Sequence, residues 1–593
     1  MASTTTAASI ADPPASNPNL SNGDYRASTP SPLQKLHGRA FYESIGSPKL
    51  VLAPMVDQSE FAWRMLTRSF MPESSPQDLL AYTPMLHARL FNETPKFRHN
   101  HFQPLREPLP PRTASSPPAP MTTQNLYLDG NPAFDRPLVT QFCANDPDEF
   151  LSAAKYVAPF CDAVDLNLGC PQGIARKGKY GAFLQEDQEL ICNMIRKLHM
   201  ELDVPITAKL RILDTKDESL KYVQNVVKAG ASIVTVHGRT REMKGHKTGM
   251  ADWKVIKFLR ENIPKEVVMF ANGNILRRED IDRCLEETGV DGVMSAEGNL
   301  YDPAIFATPP PVGQEGREYW RGKDGKGGWR MDAVFRRYMD ILYKYVMEVE
   351  SPKRQPLFLP SDIEPASEAT KTSDNKRPRD ENSPPPADQP PKKKTRADKK
   401  ERTQNPNFLA MQPHLFHLLR ALVSKHHGVR DALARCRAGD IPAFENVLQM
   451  VEVVVKEGLL EYEKTGGKSW EEEMARDDRL NAEKNKKLEE SKKSEGENDG
   501  AVDIEGVERN GEQNKDYGSS VEMVRLCKRP WWIVQPYVRP LPKEALAKGA
   551  LTLSKKEKEA LEKSKAEKAQ NGGSEKKRRS RSRSRSRSPA KNS

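Results

Sequence analysis

No stretch of this sequence is apolar for long enough to cross a bilayer, so a helical membrane protein is not expected. Cysteine is scarce. There are 7 in 593 residues, at 143, 161, 170, 192, 284, 436 and 527, with no C-x-x-C pair and no regular spacing. That excludes a disulfide framework and a zinc finger, and predicts a reduced, intracellular chain. The pairs His99/His101 and His426/His427 lack cysteine or carboxylate companions at ligand spacing. They are read as surface residues, and no metal is expected. The N-terminus, MASTTTAASIADPPASNPNL, lacks the apolar centre of a secretory signal and the arginine-rich pattern of a mitochondrial presequence. Apolar residues make up only 37%, against 47 prolines and a net charge of +11. Part of the chain is therefore expected to be unfolded. The positive balance suits a nucleic-acid or acidic-membrane partner.

What is present has a regular rhythm. Residues 1–46 are Ser/Thr/Pro/Asn-rich and are expected to be disordered. Then eight short, nearly continuous apolar runs alternate with longer amphipathic segments: KLVLAPM, LLAYTPML, PLVTQFC, AVDLNLGC, PITAKLRI, SIVTVHGR, VVMFANGNI and DGVMSAEG. Such runs fit strands buried on both faces. Between them, Phe150, Ala153, Ala154 and Val157 share one helical face. So do Leu220, Val223, Val226 and Val227, in a segment that stops on Gly230. The expected fold is α/β, a (β/α)8 TIM barrel over 47–309, with a doubly wound sheet as its competitor. The barrel is favoured because the runs end in polar or small residues, which a barrel gathers on one face. A long excursion, 92–135, with a proline-rich middle breaks the rhythm.

A small all-α domain is expected at 310–465. Phe335, Tyr338, Met339, Leu342 and Val346 share a face, as do Leu415, Leu418, Leu419, Leu422 and Val423, then Phe444, Val447, Leu448 and Val451. A linker at 351–403 with no core-forming pattern interrupts it. From 466 to 593 the chain is mostly charge and is expected to be largely disordered. An aromatic island, RPWWIVQPYVRP at 529–540, and a terminal arginine–serine repeat stand out.

One residue raises a chemical question. Cys170 ends the fourth run, between Gly169 and Pro171, and is followed by glycines at 173, 178 and 181. A lone cysteine is usually a small core residue. Here the proline forces a turn at a strand end, where barrel sites lie, and a thiol there can serve as nucleophile or general acid. No histidine or asparagine cue for a thiolate accompanies it, so a proton donor is at least as good a reading.

The motifs LAPMVDQSEFAWRML, LNLGCPQGIARKGKYGAFL, TAKLRI, VTVHGRTREMKGHKTGMADW, FANGNI and SAEGNL resemble, in order and spacing, the tRNA-dihydrouridine synthases. They are most similar to the eukaryotic branch acting on uridines 16 and 17 of the D-loop. The likeness covers about 51–306, and QPYVRP near the C-terminus shares it. The resemblance implies an FMN-binding barrel with a helical domain that holds tRNA, and NADPH or NADH as reductant. No dinucleotide fingerprint is present to choose between the two. It implies hydride delivery from reduced FMN to C6 of uracil and a proton to C5, with Cys170 as the donor. An ordinary cysteine thiol is mostly protonated at neutral pH, which suits an acid. It places Pro54, Met55 and Val56 beside the isoalloxazine, Gln141 at the ring edge, Lys209 near N1 and O2, and His237 near the cofactor. Asn272, Gly273 and Asn274, with Ala296, Glu297 and Gly298, would cradle the phosphate. SAEG stands where many relatives have a glycine–arginine pair, so backbone contacts survive there and an arginine–phosphate pair does not.

Asn167, Arg176, Lys177, Tyr180 and Arg211 are weaker substrate-binding candidates. The loop residues read equally as an exposed charged surface, and Lys209 with Arg211 as a surface pair. Arg420, Lys425, Arg430, Arg435 and Arg437 become tRNA phosphate contacts given that substrate. KRPRDENSPPPADQPPKKKTR reads as a bipartite nuclear signal, so nuclear and/or cytoplasmic residence is expected. The sequence does not fix an oligomeric state, and a monomer is slightly favoured. Two other functions fit the residues. A flavin barrel acting on a small molecule is disfavoured by the basic appendage and the arginine–serine tail. A non-catalytic RNA-binding adapter is disfavoured by Cys170, Lys209 and His237.

Overall fold

Each of the eight apolar runs forms a parallel strand. The computed structural model describes residues 35–109, 124–362, 403–477, 479–480, 483 and 520–547. Residues 1–34, the proline-rich middle of the long excursion, the two basic clusters between 363 and 402, and the arginine–serine repeat lie outside the described residues. The strands are β1 (Leu50–Leu52), β2 (Leu79–Tyr82), β3 (Leu86–His87), β4 (Leu138–Cys143), β5 (Ala163–Leu168), β6 (Ile206–Arg211), β7 (Ile233–His237), β8 (Val268–Asn272) and β9 (Gly292–Ser295). β1 pairs with both β2 and β9, and β2 pairs with β4, so eight strands close into a barrel. The two-residue β3 adds to β4 beyond the end of β2. A closed sheet has no exposed edge, and each strand is buried on both faces.

Alternation along the strands divides two cores. On β5, Val164, Leu166 and Leu168 join the layer under the surrounding helices, while Ala163 faces the barrel interior. The interior is apolar at the N-terminal end, with Val51, Leu80, Val139, Ala163, Ile233 and Val268. Gly38–Ser44, inside the stretch that composition assigned to disorder, is a helix that closes this end. Its Phe41 and Tyr42 are buried in the same interior cluster, and the Tyr42 ring lies 5.8 Å from that of Phe270. Two aromatics suffice to seat a seven-residue helix that its polar neighbourhood hides.

The surrounding helices start where side chains satisfy their first amides. Asp146 accepts from the amides of Asp148 and Glu149, and Thr215 with Glu218 forms a capping box. The long excursion is clasped rather than loose at its described ends. Arg64, fully buried on the helix Phe61–Arg68, donates to Asp129 at 2.7 Å and to Asp135 at 2.6 and 3.1 Å. Tyr127 donates to the carbonyl of Val346 at 3.0 Å, and Arg106 pairs with Glu348 at 2.7 Å.

After the barrel comes an antiparallel hairpin, β10 (Tyr319–Arg321) and β11 (Gly327–Trp329), which the all-α expectation missed. The helix Met331–Ile341 follows and ends in a π-helical turn. Helices Pro406–Leu418, Arg420–Lys425, His427–Arg435 and Ile441–Lys464 complete the appendage. It packs on Phe61–Arg68, every residue of which is buried. Trp63 lies 4.4 Å from the His414 ring, and Asn407 accepts from the Ala62 amide at 2.8 Å. Residues 351–362 have the composition of a linker. They are instead tied down by Arg354 to Asp340 and Glu445, and by Arg317 to Asp362. The aromatic island is also part of this body. Trp531 and Trp532 are buried on Gly458, where a Cβ would come within 2.7 Å of the Trp531 ring. Val534 donates to the Trp329 carbonyl at 2.9 Å.

The Arg64 cluster dominates the attachment of the excursion. Removing one partner of a buried ion pair strands the other in low dielectric. Asp135→Ala is expected to lower stability by about 3–5 kcal/mol in chemical denaturation. A loss below about 1 kcal/mol would mean that water reaches Arg64.

Candidate active site

Going up the barrel, the inward-facing residues turn from apolar to polar. β4 contributes Gln141, β5 contributes Asp165 and Asn167, and β6 contributes Thr207, Lys209 and Arg211. His237 and Asn272 end β7 and β8. Gln141 is fully buried and its amide is oriented by its partners. Nε2 donates to Asp165 at 2.8 Å, while Oε1 accepts from Asn167 Nδ2 at 2.7 Å. Thr207 donates to the other Asp165 oxygen at 2.6 Å. Burial pushes the Asp165 carboxyl up to about 6, against the pull of the Thr207 and Gln141 hydrogen bonds.

Asn167 carries this network to the cysteine. Its Oδ1 accepts from the amides of Gly169 at 3.1 Å and Cys170 at 2.9 Å. Cys170 is half-buried against Cys143, Ala175, Tyr180, Met85 and Phe183. The loop after it is folded down. It forms the short helix Gly173–Lys177 and a 3-10 turn at Gly181–Glu186, and the Ala182 amide donates to the Cys170 carbonyl at 3.1 Å. Gly181 adopts φ +66° with the Cys170 carbonyl 2.8 Å from where a Cβ would sit, so this close approach requires glycine. Arg176 and Lys177 are exposed. Tyr180 is 5% exposed and stands edge-on to His87, so its ring faces the core rather than solvent.

Positive charge gathers on the opposite side of the mouth. Lys209 Nζ donates to Asn272 Oδ1 at 3.1 Å, and Asn272 Nδ2 is held by the Met294 carbonyl at 2.9 Å. Arg211 donates to the carbonyls of Gly169 at 2.7 Å, Thr240 at 3.0 Å and Met243 at 3.4 Å. Arg239 donates to the Gly249 carbonyl at 3.0 Å, Asn274 Oδ1 at 2.8 Å and His237 Nε2 at 3.0 Å. Among the described residues none of these three cations is in ion-pair contact with a carboxylate. Burial and the neighbouring cations push Lys209 down to about 8 and Arg239 to about 10, and burial pushes Arg211 to about 10. Burial, then Arg211, Lys209 and Arg239, hold His237 well below its ordinary value. It is therefore neutral. With Nε2 accepting from Arg239, its proton sits on Nδ1.

The β1 end supplies an apolar edge: Pro54 and Met55 are half-buried and Val56 is 53% exposed. At the β8 and β9 ends, Gly273 and Asn274 adopt φ of +113° and +63°, and Ala296 leads into the short helix Glu297–Tyr301. Glu297 pairs in two-pronged fashion with Arg539 at 2.7 and 2.8 Å.

The structure thus brings Cys170, Asn167, Gln141, Lys209, Arg211, His237 and Asn272 to one mouth, with Gly273, Asn274, Ala296 and Glu297 along its rim. Sequence reasoning passed over Asp165, Arg239 and Arg539. The first two had a signal, since each is two residues along a strand run from a chosen residue, Asn167 and His237. Arg539 lay in QPYVRP, which shares the family likeness, but nothing in the sequence pairs it with Glu297, 242 residues away. Among the described residues no group of three or more His, Cys, Asp or Glu side chains is placed to hold a metal, and no helix is long and apolar enough to cross a membrane.

Known proteins are similar to this chain in sequence. The family described as Dihydrouridine synthase (Dus) matches residues 51–318. A protein of Schizosaccharomyces pombe named tRNA-dihydrouridine(16/17) synthase NAD(P)(+) is 38% identical over 510 residues, 86% of this chain and 92% of its own length. A Saccharomyces cerevisiae protein of the same name is 51% identical over 310 residues, 52% of this chain and 64% of its own. A Rattus norvegicus protein named as like these is 44% identical over 281 residues, 47% of this chain and 57% of its own. Every site residue but Arg539 falls within the matched segment, and the fission-yeast protein is matched along nearly all its length, so this chain belongs to the dihydrouridine synthase family.

Proposed function

We propose that this chain is a tRNA-dihydrouridine synthase that reduces the C5=C6 bond of uridines 16 and 17 in the tRNA D-loop, using FMN and NAD(P)H. The observation that carries this reading is the mouth itself: buried Arg211 and half-buried Lys209 and Arg239, none in ion-pair contact with a carboxylate among the described residues, share it with a half-buried thiol. Such a field favours a ligand with electron-rich oxygens and an anionic reduced form. FMN fits the donor set. Pro54, Met55 and Val56 give apolar surface for a ring. Lys209, whose one hydrogen-bond partner is an amide oxygen, has donors to spare for N1 and O2. Gln141 and the His237 Nδ1 proton supply further donors. Asn272 to Asn274, Ala296 and Glu297 form the corner for the phosphate. FMN bound there supplies the two-electron carrier between NAD(P)H and uracil.

The chain's own residues do the rest. Asn167 fixes the backbone of Cys170, and Arg211 holds the Gly169 carbonyl beside it. The Cys170 thiol would give its proton to C5 of uracil, and bulk water would reprotonate the thiolate. Lys209 and Arg211 stabilise negative charge that develops on the uracil carbonyls. A uridine must leave its stack to reach this mouth. The exposed Arg176 and Lys177, with Arg420, Lys425, Arg430 and Arg435 on the appended helices and Arg437 in the connection after them, offer contacts for tRNA phosphates. The two basic clusters between 363 and 402 support a nuclear address.

The decisive test compares wild type with Cys170→Ala by flavin absorbance and by NADPH-dependent loss of uridine in unmodified tRNA. Cys170→Ala is expected to keep the flavin and lose about 10²–10⁴-fold in turnover. A colourless wild type would overturn the flavin reading, and flavin without action on tRNA would favour a small-molecule oxidoreductase. A second expectation concerns pH. A ring acceptor stabilises the Lys209 ammonium, so the bound state takes up a proton once the free protein has lost it, above pH of about 8. FMN affinity should fall there by up to about tenfold per pH unit. In Lys209→Met it should be weaker and flat over the same range, read by quenching of flavin fluorescence.

A further inference from the structure

Glu297 presents a difficulty for the corner that carries it. Barrels of this type commonly hold a phosphate in the loops after the last two strands and at the short helix that follows. Glu297 opens the helix Glu297–Tyr301 at that place, directly after β9. A carboxylate there repels a phosphate. The charge is answered from far along the chain. Arg539 Nε donates to Glu297 Oε2 at 2.8 Å, and its Nη2 lies 2.7 Å from Oε1. As a contribution to folding this pair means little, because both side chains are partly exposed, 47% and 32%. As a control on the local field it means more, because Arg239, half-buried at the end of β7 two strands away, is within electrostatic reach of both groups.

Arg539 is held in place and does not meet Glu297 by chance. Upstream, Trp531 and Trp532 are packed on the helix Ile441–Lys464. The Tyr537 ring lies 3.9 Å from the Arg420 guanidinium and 5.7 Å from the Tyr301 ring. Downstream, Pro542 approaches the loop after β7 at Gly249. The segment therefore runs across the rim from the β9 end to the β7 end.

Resting on the flavin reading above, we propose that the C-terminal segment around Arg539 is a component of the cofactor site. Arg539 neutralises Glu297 and so lets this corner accept the phosphate monoester of FMN. The role is positioning and electrostatic, and it predicts a dependence on the phosphate rather than on the ring.

Fluorescence titration of the full-length apoprotein with FMN and with riboflavin, which has the same ring and no phosphate, tests it. Arg539→Ala should weaken FMN by about tenfold or more and leave riboflavin within about twofold. Arg539→Lys should retain most of the FMN affinity. Glu297→Gln placed in the Arg539→Ala background should restore it, since no carboxylate then needs an answer. Unchanged FMN affinity in Arg539→Ala would overturn the inference. So would parallel loss of both flavins, or failure of Glu297→Gln to rescue. A wild type that binds neither flavin would overturn the flavin reading and this inference together, while normal wild-type FMN binding with any of the preceding outcomes overturns the inference alone.

Discussion

Partly buried positive charge, held by carbonyl groups instead of carboxylates, is the constraint on which the mouth of this barrel depends. Taking a guanidinium or ammonium out of water is costly unless its donors are met. A carboxylate beside each would meet them and would also cancel the field. Here Arg211 is satisfied by three main-chain carbonyls and Arg239 by carbonyls and an amide oxygen. Dipoles offset the desolvation while the net charge stays. Asp165, a buried acid at this level, is hydrogen-bonded by Thr207 and Gln141, and Lys209 reaches it electrostatically without an ion-pair contact. The same hydrogen bonds that hold the cations also fasten the loops after β5 and β7, since Gly169, Thr240, Met243 and Gly249 are loop residues. The shape of the loops and the charge of the site are therefore one property. A loop that lifted would uncover an arginine and expose its own carbonyls at once.

The appended helices are part of this arrangement. His414 Nε2 lies 3.0 Å from the Gln58 carbonyl, and its Nδ1 2.8 Å from the Tyr338 hydroxyl. Gln58 belongs to the turn after β1, where Ser59 Oγ accepts from the Met55 amide at 3.0 Å. The apolar edge at Pro54–Val56 is thus braced from behind by residues of the second body. Trp63 adds a hydrogen bond to Asn299 at 2.8 Å, tying the first barrel helix to the segment that follows β9. A domain that only delivered tRNA would not need so polar a seam. A seam of oriented hydrogen bonds fixes the relative placement of two bodies more narrowly than apolar contact does.

Much of this was legible in the sequence, for reasons that can be named. Strands buried on both faces must be apolar throughout, so all eight runs were visible. Their polar C-terminal residues marked one end because in a barrel those ends converge. Cys170, Lys209 and His237 stood out as polar or reactive residues at such ends. What was hidden depended on tertiary partners. The helix Gly38–Ser44 is a helix because the barrel floor accepts Phe41 and Tyr42, and its flanks say nothing of that. Residues 351–362 and 529–540 carry proline and charge, and their order comes from ion pairs and tryptophan packing with distant elements. Tyr180 was expected at a surface because its neighbours are basic and glycine-rich, yet its ring fills the space beside His87 and Cys143. Asp165 was overlooked as one acid in an apolar run, although its spacing from Asn167 puts both on the inner face.

The route of the C-terminal segment shows how an exposed arginine can occupy a defined place. Gln535 to Leu541 pairs with no strand of the barrel, and the described hydrogen bonds of its backbone are few. Its order must come from elsewhere. Pro536, Pro540 and Pro542 fix φ at three positions and bias the residues before them toward extended backbone. Such a chain loses little entropy on being laid down, so a few contacts are enough to hold it. Tyr537 supplies one by stacking on Arg420, and the tryptophans anchor its start. Arg539, two residues on, is then delivered to Glu297 without a helix or a sheet to carry it. The sequence sets this segment apart through its tryptophans and its family likeness, but its prolines and arginines give no sign of where it lies against the barrel.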